Sequence, residues 1–94
     1  MHKIWSLGSA MLVAGTRPRT ASQLRTLAQW TGRSCSSVRA KRMNFEAARG
    51  SKKGFGTNGG SFEPLIARLE KENPVLFEAM VRTLAKVAQK GNEI

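Results

Sequence analysis

The chain has 94 residues, with 16 Lys or Arg against 6 acids, all of them Glu, and a formal net charge of +10 at pH 7. That length leaves room for one small domain at most, and the charge points to nucleic acid, an anionic surface or an import machinery as partner. One histidine (His2), one cysteine (Cys35), and no Asp or Tyr exclude an internal disulfide and leave little for acid–base or nucleophilic chemistry, so no enzyme is expected and no cofactor or metal site.

In chain order, the first feature is the apolar run "IWSLGSAMLVAG" at 4–15. Its 12 residues are too few to cross a bilayer, which takes about 20. With "MHK" in front, the run also suits the apolar region of a secretory signal. A basic tract follows. Residues 1–45 hold eight Lys or Arg, ten Ser or Thr and no acid, while 46–94 hold eight bases against six Glu, so the halves carry +8 and +2. This partition predicts a mainly α chain whose basic N-terminal half is disordered or weakly helical, with residues 1–40 a targeting presequence.

Residues 41–61 read as a flexible linker. Their "RGSKKGFGTNGGS" stretch at 49–61 is rich in Gly, which gives up much backbone entropy on ordering. Gly54, Gly56 and Gly59 satisfy G-x-G-x-x-G, but "AARGSKK" before them is no strand, so dinucleotide binding is not expected.

A C-terminal two-helix hairpin is predicted over 62–91. Ser61 can cap its first helix, in which Phe62, Leu65, Ile66 and Leu69 recur at helical spacing. Asn73 and Pro74 end that helix near Glu72 and begin the next, since Asn is a good N-cap and Pro is favoured at N1. The second helix, about 75–90, gathers Leu76, Phe77, Met80, Val81, Leu84, Val87 and Ala88 on one side, with Gly91 just past its end. Glu63, Glu70, Glu72 and Glu78 are expected on solvated surfaces. Phe77, Met80, Val81, Leu84 and Val87 are the candidate binding stripe, docking on a protein partner or a second copy.

Two resemblances give "TGRSCSSVRAKRMNFE", residues 31–46, opposite meanings. The acid-poor, Ser- and Arg-rich front, with "SSVRA" followed by Lys41, resembles an organellar transit-peptide precursor, in which Val38, Arg39, Ala40 and Lys41 would form the processing site. The resemblance implies import, to the plastid stroma in preference to the mitochondrial matrix, of a small non-catalytic accessory or assembly subunit that docks through its amphipathic helix. The mature part, 41–94, would keep ten bases and six acids, net +4.

The alternative rests on Ala28, Gly32 and Val38, which meet helix-turn-helix spacing, and on Trp5, Leu12 and Gly15 before them. "LAQWTGRS" and "SSVRAK" resemble the second helix, turn and recognition helix of Myb/SANT-like trihelical domains over residues 4–45, although Leu7, Gly8 and Ser9 stand where such domains usually carry acids, and Thr31 where they carry an apolar residue. That resemblance implies a basic DNA-binding protein with a helical oligomerisation tail. Arg33, Ser36, Arg39, Lys41 and Arg42 would then meet bases or phosphates.

Overall fold

The computed structural model describes residues 5–50 and 62–91, which form five helices: α1 (Leu7–Thr16), α2 (Ala21–Thr31), α3 (Cys35–Ala48), α4 (Glu63–Glu72) and α5 (Pro74–Gln89). The chain is mainly α, and the described residues contain no strand.

The centre of the fold is α1. Ser6 caps it, its Oγ accepting the Ser9 backbone N–H at 3.1 Å, and the helix ends at Arg17, a left-handed residue with φ 49°. Residues 9–14 are buried without interruption, so the helix is apolar on every side. A helix of that kind is stable only when other elements surround it. All four other helices pack against it.

Next along the chain, Thr20 opens α2 with a capping box: its hydroxyl accepts the Gln23 N–H at 3.1 Å, and the Gln23 side chain accepts the Thr20 N–H at 3.1 Å. Gly32 closes α2 at φ 69°, with the Arg33 N–H reaching back to the Ala28 carbonyl at 3.1 Å. That left-handed conformation costs a glycine little. Ser34 then caps α3 by accepting the Ser37 N–H at 3.1 Å. Leu24 and Leu27 of α2 and Val38 and Phe45 of α3 turn inward onto α1.

The C-terminal hairpin follows the predicted boundaries closely. Asn73 ends α4 and caps α5, its side-chain oxygen accepting the Leu76 N–H at 3.3 Å, with Pro74 as the first residue of α5. Where α5 crosses α1, a Cβ built on Gly15 would lie 2.6 Å from both Val81 methyl carbons. Glycine there lets the two helices meet. Ser61, the expected cap of α4, and the Gly54, Gly56 and Gly59 motif lie outside the described residues.

Two expectations need correction. The basic half is not weakly helical between 5 and 50: it forms α1, α2 and α3, and Ala10, Leu12, Val13 and Val38 are 0 % exposed. The length and flanks of the run at 4–15 suit a signal, but residues 9–14 within it are the buried body of α1. Residues 41–48, counted as linker, are the last two turns of α3, and Phe45 among them is fully buried.

Candidate nucleic-acid interface

α2 and α3 are joined by only three residues, Gly32, Arg33 and Ser34. Helix-turn-helix modules likewise join their two helices through three or four residues that often include a glycine. α1 supplies the backing, and α3 presents three distinct faces.

Val38 and Phe45 point into the core. Lys41 and Asn44 face α4: the Lys41 Nζ lies 3.0 Å and the Asn44 Nδ2 3.1 Å from the same Glu63 oxygen. The outward face carries Ser36, Arg39 and Ala40, all exposed, and Met43, half-buried. These four recur at i, i+3, i+4 and i+7, the spacing of one helix face. Their side chains are small apart from Arg39 and Met43.

The bases divide sharply by environment. Lys41, a candidate DNA contact and a candidate processing residue, is turned inward, with its side chain only 11% exposed. Arg42 pairs with Glu46 one turn along α3. Arg33 stacks its guanidinium 4.7 Å from the centre of the Trp5 ring, and the Lys41 ammonium lies 5.2 Å from the same ring. Such stacking contributes about 0.5–1 kcal/mol at exposed sites. It also holds the turn between α2 and α3 in place. Arg39 differs from all of these: it is exposed and has no hydrogen-bond or ion-pair partner among the described residues. Ser36, next to it on that face, has its hydroxyl 3.2 Å from the Ser34 hydroxyl. Arg19 and Arg25 are also exposed, and their guanidinium groups meet no acid among the described residues.

The acids are gathered elsewhere. Glu63 is 1 % exposed at the first residue of α4, which corrects the expectation that it is a solvated surface charge. Nothing local to "SFEPLI" announces its burial, because its partners lie 19 and 22 residues earlier. Glu70 accepts from Arg49 Nε at 2.8 Å and Arg17 Nη2 at 2.9 Å, and Arg49 also donates to the Ala14 carbonyl at 2.9 Å. Burial raises the Glu70 pKa, but the hydrogen bonds and charges of the two arginines outweigh it and hold the carboxyl below its ordinary range. Glu72 pairs with Arg68 on the surface. Glu46, Glu63, Glu70 and Glu72 therefore pair with other bases, and Arg19, Arg25 and Arg39 stand beside no carboxylate among the described residues.

The other candidate residues are placed as follows. Val38 is buried, while Arg39 and Ala40 are exposed in the middle of α3. In the binding stripe, Phe77 and Val81 are buried, while Met80, Leu84 and Val87 are half-buried. What remains open of the stripe is an apolar groove of about 440 Å³ between α1 and α5, lined by Leu7, Met11, Met80, Thr83 and Leu84 among others. Among the described residues, no three His, Cys, Asp or Glu come together to hold a metal ion, and no helix is long and apolar enough to cross a membrane.

No protein-family model, curated protein or solved structure matches the chain.

Proposed function

We propose that the chain binds duplex DNA, with α3 lying in the major groove, α2 across the backbone, and α1, α4 and α5 forming the scaffold behind. One observation carries this reading: the first two turns of the outward face of α3 are small and uncharged except for Arg39, and they belong to a segment with no acid before Glu46. A helix measures about 10–12 Å across with its side chains and the major groove is about 12 Å wide, so a face of Ser36 and Ala40 can approach the base edges closely. Arg19 and Arg25, both exposed, then serve the phosphates. Such contacts fix register and supply most of the sequence-independent affinity.

The test is binding of the full-length chain to a fluorescent DNA duplex, followed by anisotropy across a salt series. Two phosphate contacts predict a log–log slope of about −1.8, or about 12-fold weaker binding at 200 mM than at 50 mM salt. Binding that is absent or independent of salt overturns the proposal. Stronger binding to a duplex RNA of the same sequence also overturns it, because the deep, narrow major groove of A-form RNA does not admit a helix.

The import reading draws its support from the charge partition, the Ser and Thr of the front half and the likeness of "SSVRA" to a processing site. Removing residues 1–40 would strip Leu12, Val13, Leu24, Leu27 and Val38 from a core that Phe45, Ile66 and Phe77 share. The intact mass of the protein from its own cells separates the two readings: a species starting near Lys41 or Asn44 favours import, and the whole chain favours DNA binding.

A further inference from the structure

We infer that Arg39 is the specificity-determining residue of α3 and reads a guanine; this rests on the DNA-binding reading above. The argument begins with elimination among the bases of α3. Lys41 is committed to Glu63, Arg42 to Glu46, and Arg49, at the end of the helix, to Glu70 and the Ala14 carbonyl. Each of those groups is held at 2.8–3.0 Å or closer by a partner within the fold. Taking any of them to DNA would break an ion pair within the fold, and for Lys41 the carboxylate given up is the buried Glu63. Arg39 breaks nothing by reaching outward.

Its position supports the same assignment. Arg39 lies one turn into α3, five residues after the Ser34 cap, in the N-terminal part of the helix that helix-turn-helix modules present to base edges. Ser36 stands one turn before it, and Ala40 lies beside it on the same face. Neither side chain is long enough to hold the helix axis away from the groove floor. A guanidinium offers a planar pair of donors, and among base edges in the major groove guanine presents the matching pair of acceptors, N7 and O6. The acid nearest to it along α3, Glu46, lies two turns further on and is paired with Arg42, so no carboxylate within a turn of Arg39 competes for the fork. The Ala40 methyl beside it is suited to apolar contact with a neighbouring base, as thymine methyl groups accept from alanine.

A base reader and a phosphate contact leave different signatures. Removing a base reader flattens the preference at one base pair, whereas removing a phosphate contact weakens binding to all sequences and lowers the salt slope by about 0.9. The experiment selects bound duplexes from a randomised DNA library with the full-length chain and its Arg39→Ala and Arg25→Ala variants. Affinities are then measured on the selected duplex and on the same duplex with one G·C pair changed to A·T. The wild-type chain is expected to enrich an invariant guanine and to bind the G·C duplex on the order of ten-fold more tightly. Arg39→Ala should bind the two duplexes alike. Arg25→Ala should keep the ratio while weakening both. If Arg39→Ala keeps the guanine preference and loses about 0.9 of the salt slope, Arg39 is a phosphate contact: the inference falls and the DNA-binding reading stands. If the wild-type chain binds no duplex DNA, both fall. Because Arg39 is exposed and unpaired among the described residues, the helical circular dichroism of Arg39→Ala should match that of the wild type.

Discussion

Gly15→Ala tests the claim that the front half of the chain belongs to the same folded unit as its tail. The added methyl would sit 2.6 Å from Cγ1 and Cγ2 of Val81 and 3.0 Å from its Cβ. Carbon atoms prefer about 3.5–4.0 Å, so roughly 1 Å must open between α1 and α5. Val81 cannot rotate out of the way, because its Cβ is itself too close and a β-branched side chain is stiff at χ1. Overpacking of this kind costs about 1–3 kcal/mol, and replacing a helical glycine with alanine returns about 0.5–1 kcal/mol. The net expectation is a loss of about 1 kcal/mol, which lowers the melting temperature by roughly 4–8 °C in a domain of this size. Val81→Ala alone should cost about 2 kcal/mol, from two buried methyl groups and the space they leave. In the double variant the methyl clash is gone, so it should be more stable than the sum of the single effects by about 1 kcal/mol or more. Thermal denaturation of the four chains, followed by circular dichroism, measures the cycle. A Gly15→Ala chain that melts higher than the wild type, or single effects that simply add, would refute the close packing of α1 on α5.

Three further outcomes follow from the same packing. Glu63→Gln leaves the Lys41 cation uncompensated at a site where its side chain is 11% exposed, and chemical denaturation should show a loss of about 2–3 kcal/mol. Adding Lys41→Met should restore part of that loss, since it removes the buried cation that Glu63→Gln leaves uncompensated, and failure of the rescue would mean that the pair is not coupled. Glu70 has a folded-state pKa below its unfolded value of about 4.3, so its contribution is fully present above that value and disappears as pH falls through the lower folded pKa. Arg49→Gln should therefore flatten the fall in stability below about pH 4.3 relative to the wild type, and an unchanged acid limb in a pH series of denaturation midpoints would count against the Arg49–Glu70–Arg17 network. A chain comprising residues 41–94 alone should give a far weaker helical circular dichroism signal per residue than the whole protein, because Phe45, Ile66 and Phe77 lose the α1 surface on which they pack; a cooperative melt of that fragment would favour the import reading.

Placing these residues in space changes what the charges mean. Counted along the chain, the bases of the first half form one undivided block. In the fold, the block splits: Lys41 and Arg33 serve the Trp5 and Glu63 cluster, Arg17 serves Glu70, and Arg42 pairs within α3, while Arg19, Arg25 and Arg39 face solvent. A proposed DNA contact surface therefore rests on fewer bases than the composition offers. Its specificity falls to a single arginine.

Local signals in the sequence determined where helices begin and end. Asn73 and Pro74 mark the junction of α4 and α5, Gly91 with φ 82° lies just beyond the last turn, and Gly32 marks the turn before α3, because caps and turns are made by atoms within four or five residues of each other. Thr20 with Gln23, and Ser34 before α3, are signals of the same kind. The tertiary structure alone decided which faces those helices hide. Glu63 looks like any surface glutamate until Lys41 and Asn44 are brought to it, and Phe77 and Val81 look like a docking stripe until α1 covers them. The reason is distance along the chain: burial depends on partners tens of residues away, and no local pattern says which helix will lie against which.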